Sequence, residues 1–290
     1  MRLRVPASSA NLGPGFDCFG IAWQLWNEIE FEPNDRLVIT GCPERYQNPQ
    51  NLAYDAYRTV LAMHGVEAGG VTIRFGRTDI PVSRGLGSSS ALLIAGALAA
   101  NELGGLDMTR DELFRAAVRL EGHPDNVAPA FFGGFTVSAM DGDRICGVGF
   151  PVSDSLCFTV LIPDFELSTR LARQVLPETY ARADAIFNTS HASLMLHAMQ
   201  SGDCGVLSFA IEDRIHQPYR TALIPGYDEA RQLALEAGAA AVCISGAGST
   251  MLCISDRPGL ADRLAAPFAE RFPGWRVKDV QPDREGAKIL

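Results

Sequence analysis

Hydrophobic positions along this chain change period several times, and each change predicts an element. Between 21 and 32 they alternate, with Ile21, Trp23, Leu25, Ile29 and Phe31 on one parity, as a half-buried strand requires. Residues 3–5 and 71–75 are shorter strand candidates, and 36–41 is the expected hairpin partner of 21–32. From 51 to 64 the spacing turns helical, with Leu52, Ala56, Val60 and Met63 apolar and Gly65 as the stop. The helix expected from Ser88 to about residue 103 is apolar nearly all round, which marks it as buried. Thr109 and Glu112 make a capping box ahead of a helix to Leu120. Asp125 is read as the cap of a short helix ending at Phe132.

Strand patterns recur at 135–140, 144–150 and 156–162, and a proline with polar neighbours interrupts them at 151–154. The expected division is therefore into two domains, 1–153 and 154–290. The second half holds a short helix within 167–177, capped by Ser168 or Thr169, then amphipathic helices at 184–199 and 227–237. Strands at 241–245 and 250–255 flank a glycine turn, and a helix at 257–272 and a strand at 275–280 close the chain. Helices and strands mixed in this way predict an α+β class.

Composition narrows the partners. The 290 residues carry 25 Lys and Arg against 34 Asp and Glu, a net charge of −9, which argues against nucleic acid or an anionic membrane as the main partner. The 7 cysteines are scattered, with no CxxC pair, so neither a disulfide framework nor a zinc site is expected and a reducing cytoplasm is the expected location. No apolar signal core opens the chain, and its longest apolar run, 91–100, is about half a membrane span.

The candidate chemistry centres on 81–97, PVSRGLGSSSALLIAGA. Pro81, Val82, Ser83 and Arg84 lead into Gly85, Leu86 and Gly87, and Ser88, Ser89, Ser90 and Ala91 open the apolar helix. Glycines permit positive φ, successive N–H groups then face one concavity, and a helix N-terminus favours negative charge. The plainer reading is a serine-capped helix after a glycine turn. No Lys follows the second glycine, so this is not a Walker A loop, and Ser90 stands where a dinucleotide fingerprint has its third glycine.

Other stretches gather reactive groups. PASSANLGPGFDCFG, 6–20, reads as a shaped loop carrying Asn11, Phe16 and Asp17. EGHPDNVAP, 121–129, crowds Glu121, His123, Asp125 and Asn126 together, a costly set for structure alone. Arg173 reads by itself as a solvated helix face, His216 as a structural histidine, and SGAGST, 245–250, as a hairpin turn.

Taken together, PxxxGLGSS at 81–89, the 6–20 loop, EGHPDN, STxxAR followed by LP at 168–177, and EDRIHQPYR at 212–220 resemble the homoserine kinases of the GHMP kinase family, in that family's order. The resemblance implies a two-domain fold: an N-terminal domain like ribosomal protein S5 domain 2 and a ferredoxin-like C-terminal domain. It implies ATP and Mg²⁺ as cofactors, L-homoserine as the acceptor, and threonine biosynthesis as the setting. A homodimer is plausible from the family. It places the triphosphate on 81–91, Mg²⁺ on Ser89 and Glu121, and the substrate against Asn11, Asp17, His123, Asn126, Thr169, Arg173 and Arg220. Asp17 suits an ammonium group, and paired arginines suit a carboxylate. It also makes 245–250 a third motif that steadies the phosphate loop. Other family members use an Asp base near Asp125 or Asn126; homoserine kinases are thought to lack one, and Asp125 stays open as a base. Kinases of other alcohols, or a ligand sensor on the same fold, remain as alternatives.

Overall fold

The alternation at 21–32 belongs to a longer strand. In a computed structural model describing residues 1–290, β2 (Phe19–Pro33) is the spine of a seven-stranded sheet, burying Ile21, Trp23, Leu25, Ile29 and Phe31 on one face. It pairs antiparallel with β1 (Arg2–Ala10) on one side and, near its far end, with β4 (Val71–Thr78) on the other. Because β1 continues to Ala10, the loop expected over 6–20 shrinks to 11–18. A register shift at Pro6/Ala7 hides that continuation from a simple alternation pattern.

The hairpin expected at 36–41 does not form. β3 (Val38–Thr40) pairs parallel with the outer edge of β4, because β4 already occupies the edge of β2. The turn that carries the chain past β4 is specified locally: Asn34 N–H donates to Gly70 O (2.9 Å) and its side chain to Thr72 Oγ1 (2.8 Å). A Cβ on Gly70 would lie 2.2 Å from the Arg36 nitrogen, so only glycine allows this approach. The crossover from β3 to β4 runs through α1 (Leu52–Met63), whose cap is Asn51. α1 packs on α2 (Ser88–Gly104), the helix buried on nearly every side, as its composition predicts. α3 (Arg110–Glu121) starts with the expected capping box, and α4 (Val127–Phe132), β5 (Phe135–Asp141) and β6 (Arg144–Phe150) complete this half.

A second sheet begins with β7 (Cys157–Ile162). It continues through α5 (Thr169–Gln174), α6 (Arg182–Ser201), α7 (Cys204–Ala210), α8 (Gln217–Arg220) and α9 (Tyr227–Glu236). Then follow β8 (Ala241–Ile244), β9 (Met251–Ser255), α10 (Leu260–Arg271) and β10 (Arg276–Val280), giving the antiparallel order β10-β7-β9-β8. Period-two alternation sorts its side chains. Phe158, Val160, Leu252 and Ile254 enter a 54-residue core shared with the first sheet, while Leu161, Val242, Met251 and Cys253 enter a 15-residue core with residues of α9 and α10. The large core therefore runs across the 153/154 junction. The chain after β10 also returns to the first sheet: Asp283 N–H donates to Ala22 O (2.9 Å), and β11 (Lys288–Ile289) pairs with β1. That tail sits apart from the second sheet, with which the sequence division had grouped it. No helix is long and apolar enough to cross a membrane, and all seven cysteines are free.

Candidate active site

The start of α2 differs from a serine-capped helix. Its N-cap is Gly87 at φ 71° with no side-chain cap, so the three serines lie in the first turn with their hydroxyls released from capping. Ser89 Oγ donates to Glu121 Oε2 (2.8 Å) and Ser90 Oγ to Oε1 (2.9 Å). Ser83, Gly85 and Gly87 all have positive φ, at 54°, 75° and 71°.

The loop's peptide groups are sorted by direction. Its carbonyls are tied to other segments: Ser83 O accepts from Leu167 N–H (2.8 Å), Arg84 O from Thr250 N–H (3.1 Å), Leu86 O from Ser8 N–H (3.1 Å), and Gly85 O from Ser245 Oγ (2.5 Å). None of the N–H groups of residues 83–90 donates to a protein acceptor. A run of unpaired N–H groups at a helix N-terminus, with the carbonyls fastened behind, is an anion cradle. Arg84 contributes main chain rather than charge, since its guanidinium donates to the carbonyls of Val82, Pro163 and Asp164. Leu86 and Ser90 are fully buried behind the loop, and so is Ala91.

The turn at 245–250 closes the β8–β9 hairpin and also reaches the phosphate loop through Ser245 and Thr250. A Cβ on Gly85 would lie 2.2 Å from Ser245 O, so the two glycine-rich turns touch backbone to backbone.

α3 ends at Glu121, and Gly122 (φ 89°) reverses the chain. Asp125 does not cap α4; Asn126 holds that position without a side-chain cap. Asp125 Oδ1 instead meets His123 Nδ1 (2.5 Å) and accepts from Asn126 N–H (2.9 Å). Burial opposes a charge on His123, but the Asp125 hydrogen bond and the Asp125 and Glu121 carboxylates outweigh it and raise its pKa. The Asn126 amide oxygen accepts from Ser8 Oγ (3.0 Å), and its nitrogen donates to no protein group.

At the other end, Asp17 sits at φ 53° in the 11–18 loop. Asn11 braces that loop: its Nδ2 donates to Gly246 O (2.8 Å) and its Oδ1 accepts from Asp17 N–H (2.9 Å). Arg173, on α5 behind the Ser168 cap, makes two hydrogen bonds to Asp17, and Thr169 opens the same helix. Arg220 is 1% exposed, with Nε on Ala172 O (3.0 Å) and Nη1 on Gly246 O (3.1 Å). Burial, then the neighbouring Arg173, lowers its pKa to about 10. Phe16 lies under both guanidinia, 5.6 Å from Arg173 and 5.1 Å from Arg220, and stacks on His216. His216 is fully buried, with Nε2 2.8 Å from Gly13 O and Nδ1 3.4 Å from Arg220 Nη1, so it is the structural histidine its sequence setting predicts.

All these segments open into one cavity of about 470 Å³, whose lining includes Asn11, Asp17, Gly85, Glu121, Arg173 and Arg220. Its lining also includes Tyr46, Leu52, Phe75 and Leu92, which sequence reasoning did not assign to a site. They come from four separate segments, and no motif marks them.

Comparison with known proteins agrees with this geometry. Residues 51–134 match the family model described as GHMP kinases N terminal domain, and 186–274 match GHMP kinases C terminal. The chain is 39% identical to a homoserine kinase of Clostridium botulinum over all of its length and 98% of that protein's. It is 40% identical to one of Clostridium beijerinckii, covering 99% of this chain and 98% of the relative. A crystal structure of homoserine kinase from Cytophaga hutchinsonii superposes with a TM-score of 0.86 at 28% identity, covering 100% of this chain and 97% of that one. A mevalonate kinase of L. major, at 15% identity and a TM-score of 0.72, shares the fold. The cradle, the Glu121 cluster and the charged pocket thus sit in a chain that belongs to the GHMP kinase family and, within it, to the homoserine kinases.

Proposed function

We propose that this chain transfers the γ-phosphoryl group of ATP to the side-chain hydroxyl of L-homoserine, giving O-phospho-L-homoserine and ADP for threonine synthesis. The observation that carries the reading is the run of unpaired N–H groups at 83–90 beside a cavity that Asp17, Arg173 and Arg220 also line. The cradle takes the triphosphate, and the apolar end with Tyr46, Leu52, Phe75 and Leu92 takes the adenine. Arg173 and Arg220 take the substrate carboxylate, Asp17 its ammonium group, and Asn126 Nδ2 donates toward the reacting oxygens.

The donors at the cradle's edge fit Mg²⁺. Ser89 and Glu121 offer one hydroxyl and one carboxylate, and no group of three or more His, Cys, Asp or Glu could hold a metal by itself. Mg²⁺ binds in this way, through one or two carboxylates with phosphate oxygens and waters completing the shell. Bound there, it would neutralise charge on the phosphate oxygens.

Phosphoryl transfer passes through a loose transition state, so the protein's task is mainly to align the hydroxyl and stabilise charge. Asp125 is engaged with His123 and the Asn126 N–H, which supports a holding role for it rather than that of a base. The test is an ADP-release assay over a panel of alcohols. Homoserine should be preferred over mevalonate and sugar alcohols by orders of magnitude in kcat/KM. ADP release independent of homoserine, or none with any alcohol, would refute the assignment.

A further inference from the structure

The two side chains assigned to the substrate's carboxylate and ammonium, groups carried on one carbon, are bound to each other. Arg173 Nη1 and Nη2 donate to Asp17 Oδ2 and Oδ1 at 3.0 and 2.6 Å, with the side chains 37% and 35% exposed. They come from separate parts of the fold, Asp17 from the β1–β2 loop and Arg173 from α5 beyond β7. Arg220 is placed differently. Its Nε and Nη1 are committed to carbonyls and His216, it has no carboxylate at ion-pair distance, and its Nη2 donates to no protein acceptor. One cation is open, while the other two charges close on each other.

We propose that the Asp17–Arg173 ion pair is a specificity filter for zwitterions: a ligand replaces the pair only by bringing both a carboxylate for Arg173 and an ammonium for Asp17. This rests on the homoserine reading above. The physical ground is exchange symmetry. A zwitterion substitutes two ion pairs for one and strands no charge, whereas an acceptor with one charge leaves a partly buried group without its partner. 4-Hydroxybutanoate, which lacks the ammonium, would free Asp17 into the cavity. 3-Aminopropan-1-ol, which lacks the carboxylate, would strand Arg173 beside Arg220, a neighbour that already repels it. Arg220 sets the order of events, its free Nη2 taking the carboxylate first and bringing it next to Arg173.

The experiment measures kcat/KM for homoserine and the two half-charged alcohols with wild type, Asp17→Asn and Arg173→Gln. If Asp17 merely touched the ammonium, its loss would leave 4-hydroxybutanoate unaffected. The filter requires Asp17→Asn to raise kcat/KM for 4-hydroxybutanoate about five-fold, the worth of a partly exposed ion pair. The same variant should lose activity on homoserine, with an unchanged ATP KM excluding a general charge effect. Arg173→Gln should do the same for 3-aminopropan-1-ol. Unchanged or reduced values for both analogues, in variants that keep the wild-type melting temperature, overturn the filter.

Should either variant fold poorly, the wild type decides. Propanoate should inhibit about five-fold more tightly when methylammonium is present, since each ion releases the other's binding group. Independent inhibition overturns the proposal. Wild type inactive on homoserine refutes the functional reading instead, so the two failures are distinguishable.

Discussion

The two ends of the cavity are made of different material. At the end proposed for the phosphates the free donors are main-chain N–H groups of 83–90, aimed by carbonyls fastened to β1, the 245–250 turn and the segment before α5. At the end proposed for the acceptor the binding groups are side chains, Asp17, Arg173 and Arg220, on a loop and two short helices braced by Asn11, Phe16 and His216. A backbone site depends on a few glycines and resists change in chemistry. A side-chain site can be rewritten one residue at a time, which is where acceptor specificity is expected to lie.

Glu121 is the exception at the phosphate end, the one charged side chain joined to the cradle's serines. Glu121→Ala should lower kcat/KM about 10³-fold, the usual scale for losing a preorganised electrostatic group. Near-normal turnover at saturating Mg²⁺ would remove Glu121 from the metal's surroundings and leave that end purely backbone. The acceptor end should respond in a different parameter. Arg173→Leu removes a two-bond charged grip made before and during reaction, so homoserine KM should rise about 50-fold with little change in ATP KM. A shift in ATP KM alone would break the division between the ends.

Gly85→Ala tests the backbone end directly. The residue sits at φ 75° and a Cβ would meet Ser245 O at 2.2 Å, so the substitution strains two turns at once. It should cost about 1–3 kcal/mol of stability by thermal or denaturant unfolding. It should also raise ATP KM more than homoserine KM. The opposite ranking would mean that the cradle tolerates movement and that rigidity is not its working property.

What could be read in advance follows the same division. A backbone requirement for positive φ is written in glycine, so 85 and 87 stood out. Arg173 is marked only by the STxxAR resemblance and not by its spacing, because helical periodicity cannot tell a polar cavity from bulk water, and α5 is only six residues long. The apolar lining was illegible since Tyr46, Leu52, Phe75 and Leu92 converge only once β4, α1 and α2 have packed. The partner of β3 was misjudged because a three-residue strand carries no pairing preference of its own; the choice lies in Asn34 and Gly70. The return of the tail to the first sheet rests on Asp283 at β2 and a two-residue strand at β1, too little sequence to signal.

The bracing of the acceptor end carries a pH signature. Burial lowers the pKa of His216 below the ordinary 6.5. Above 6.5 the imidazole is neutral in both folded and unfolded chains, and its contribution is fully present. As pH falls below 6.5 the unfolded chain takes up a proton that the native site refuses, so stability drops until the native pKa is passed. His123, raised by its carboxylate neighbours, has the opposite slope. The melting temperature of His216→Gln should therefore fall less steeply than wild type between pH 7 and 5. A parallel curve would mean that His216 takes up its proton in place, and that the acceptor end is less tightly built than the cradle.

The smallest effect expected is at the exposed Arg45–Glu166 ion pair. Arg45, stacked on Tyr46 at the apolar end, bonds Glu166, which precedes the Leu167 that holds Ser83 O. Its position invites a structural role, but the side chains are 61% and 45% exposed, where water and salt offset most of the attraction. Glu166→Gln should change stability by less than about 0.5 kcal/mol and ATP KM by less than about two-fold. A ten-fold rise in ATP KM would show that the cradle's aim depends on a surface charge pair. The contrast between a backbone end and a side-chain end would then fail, since the backbone end would itself rest on a side-chain contact.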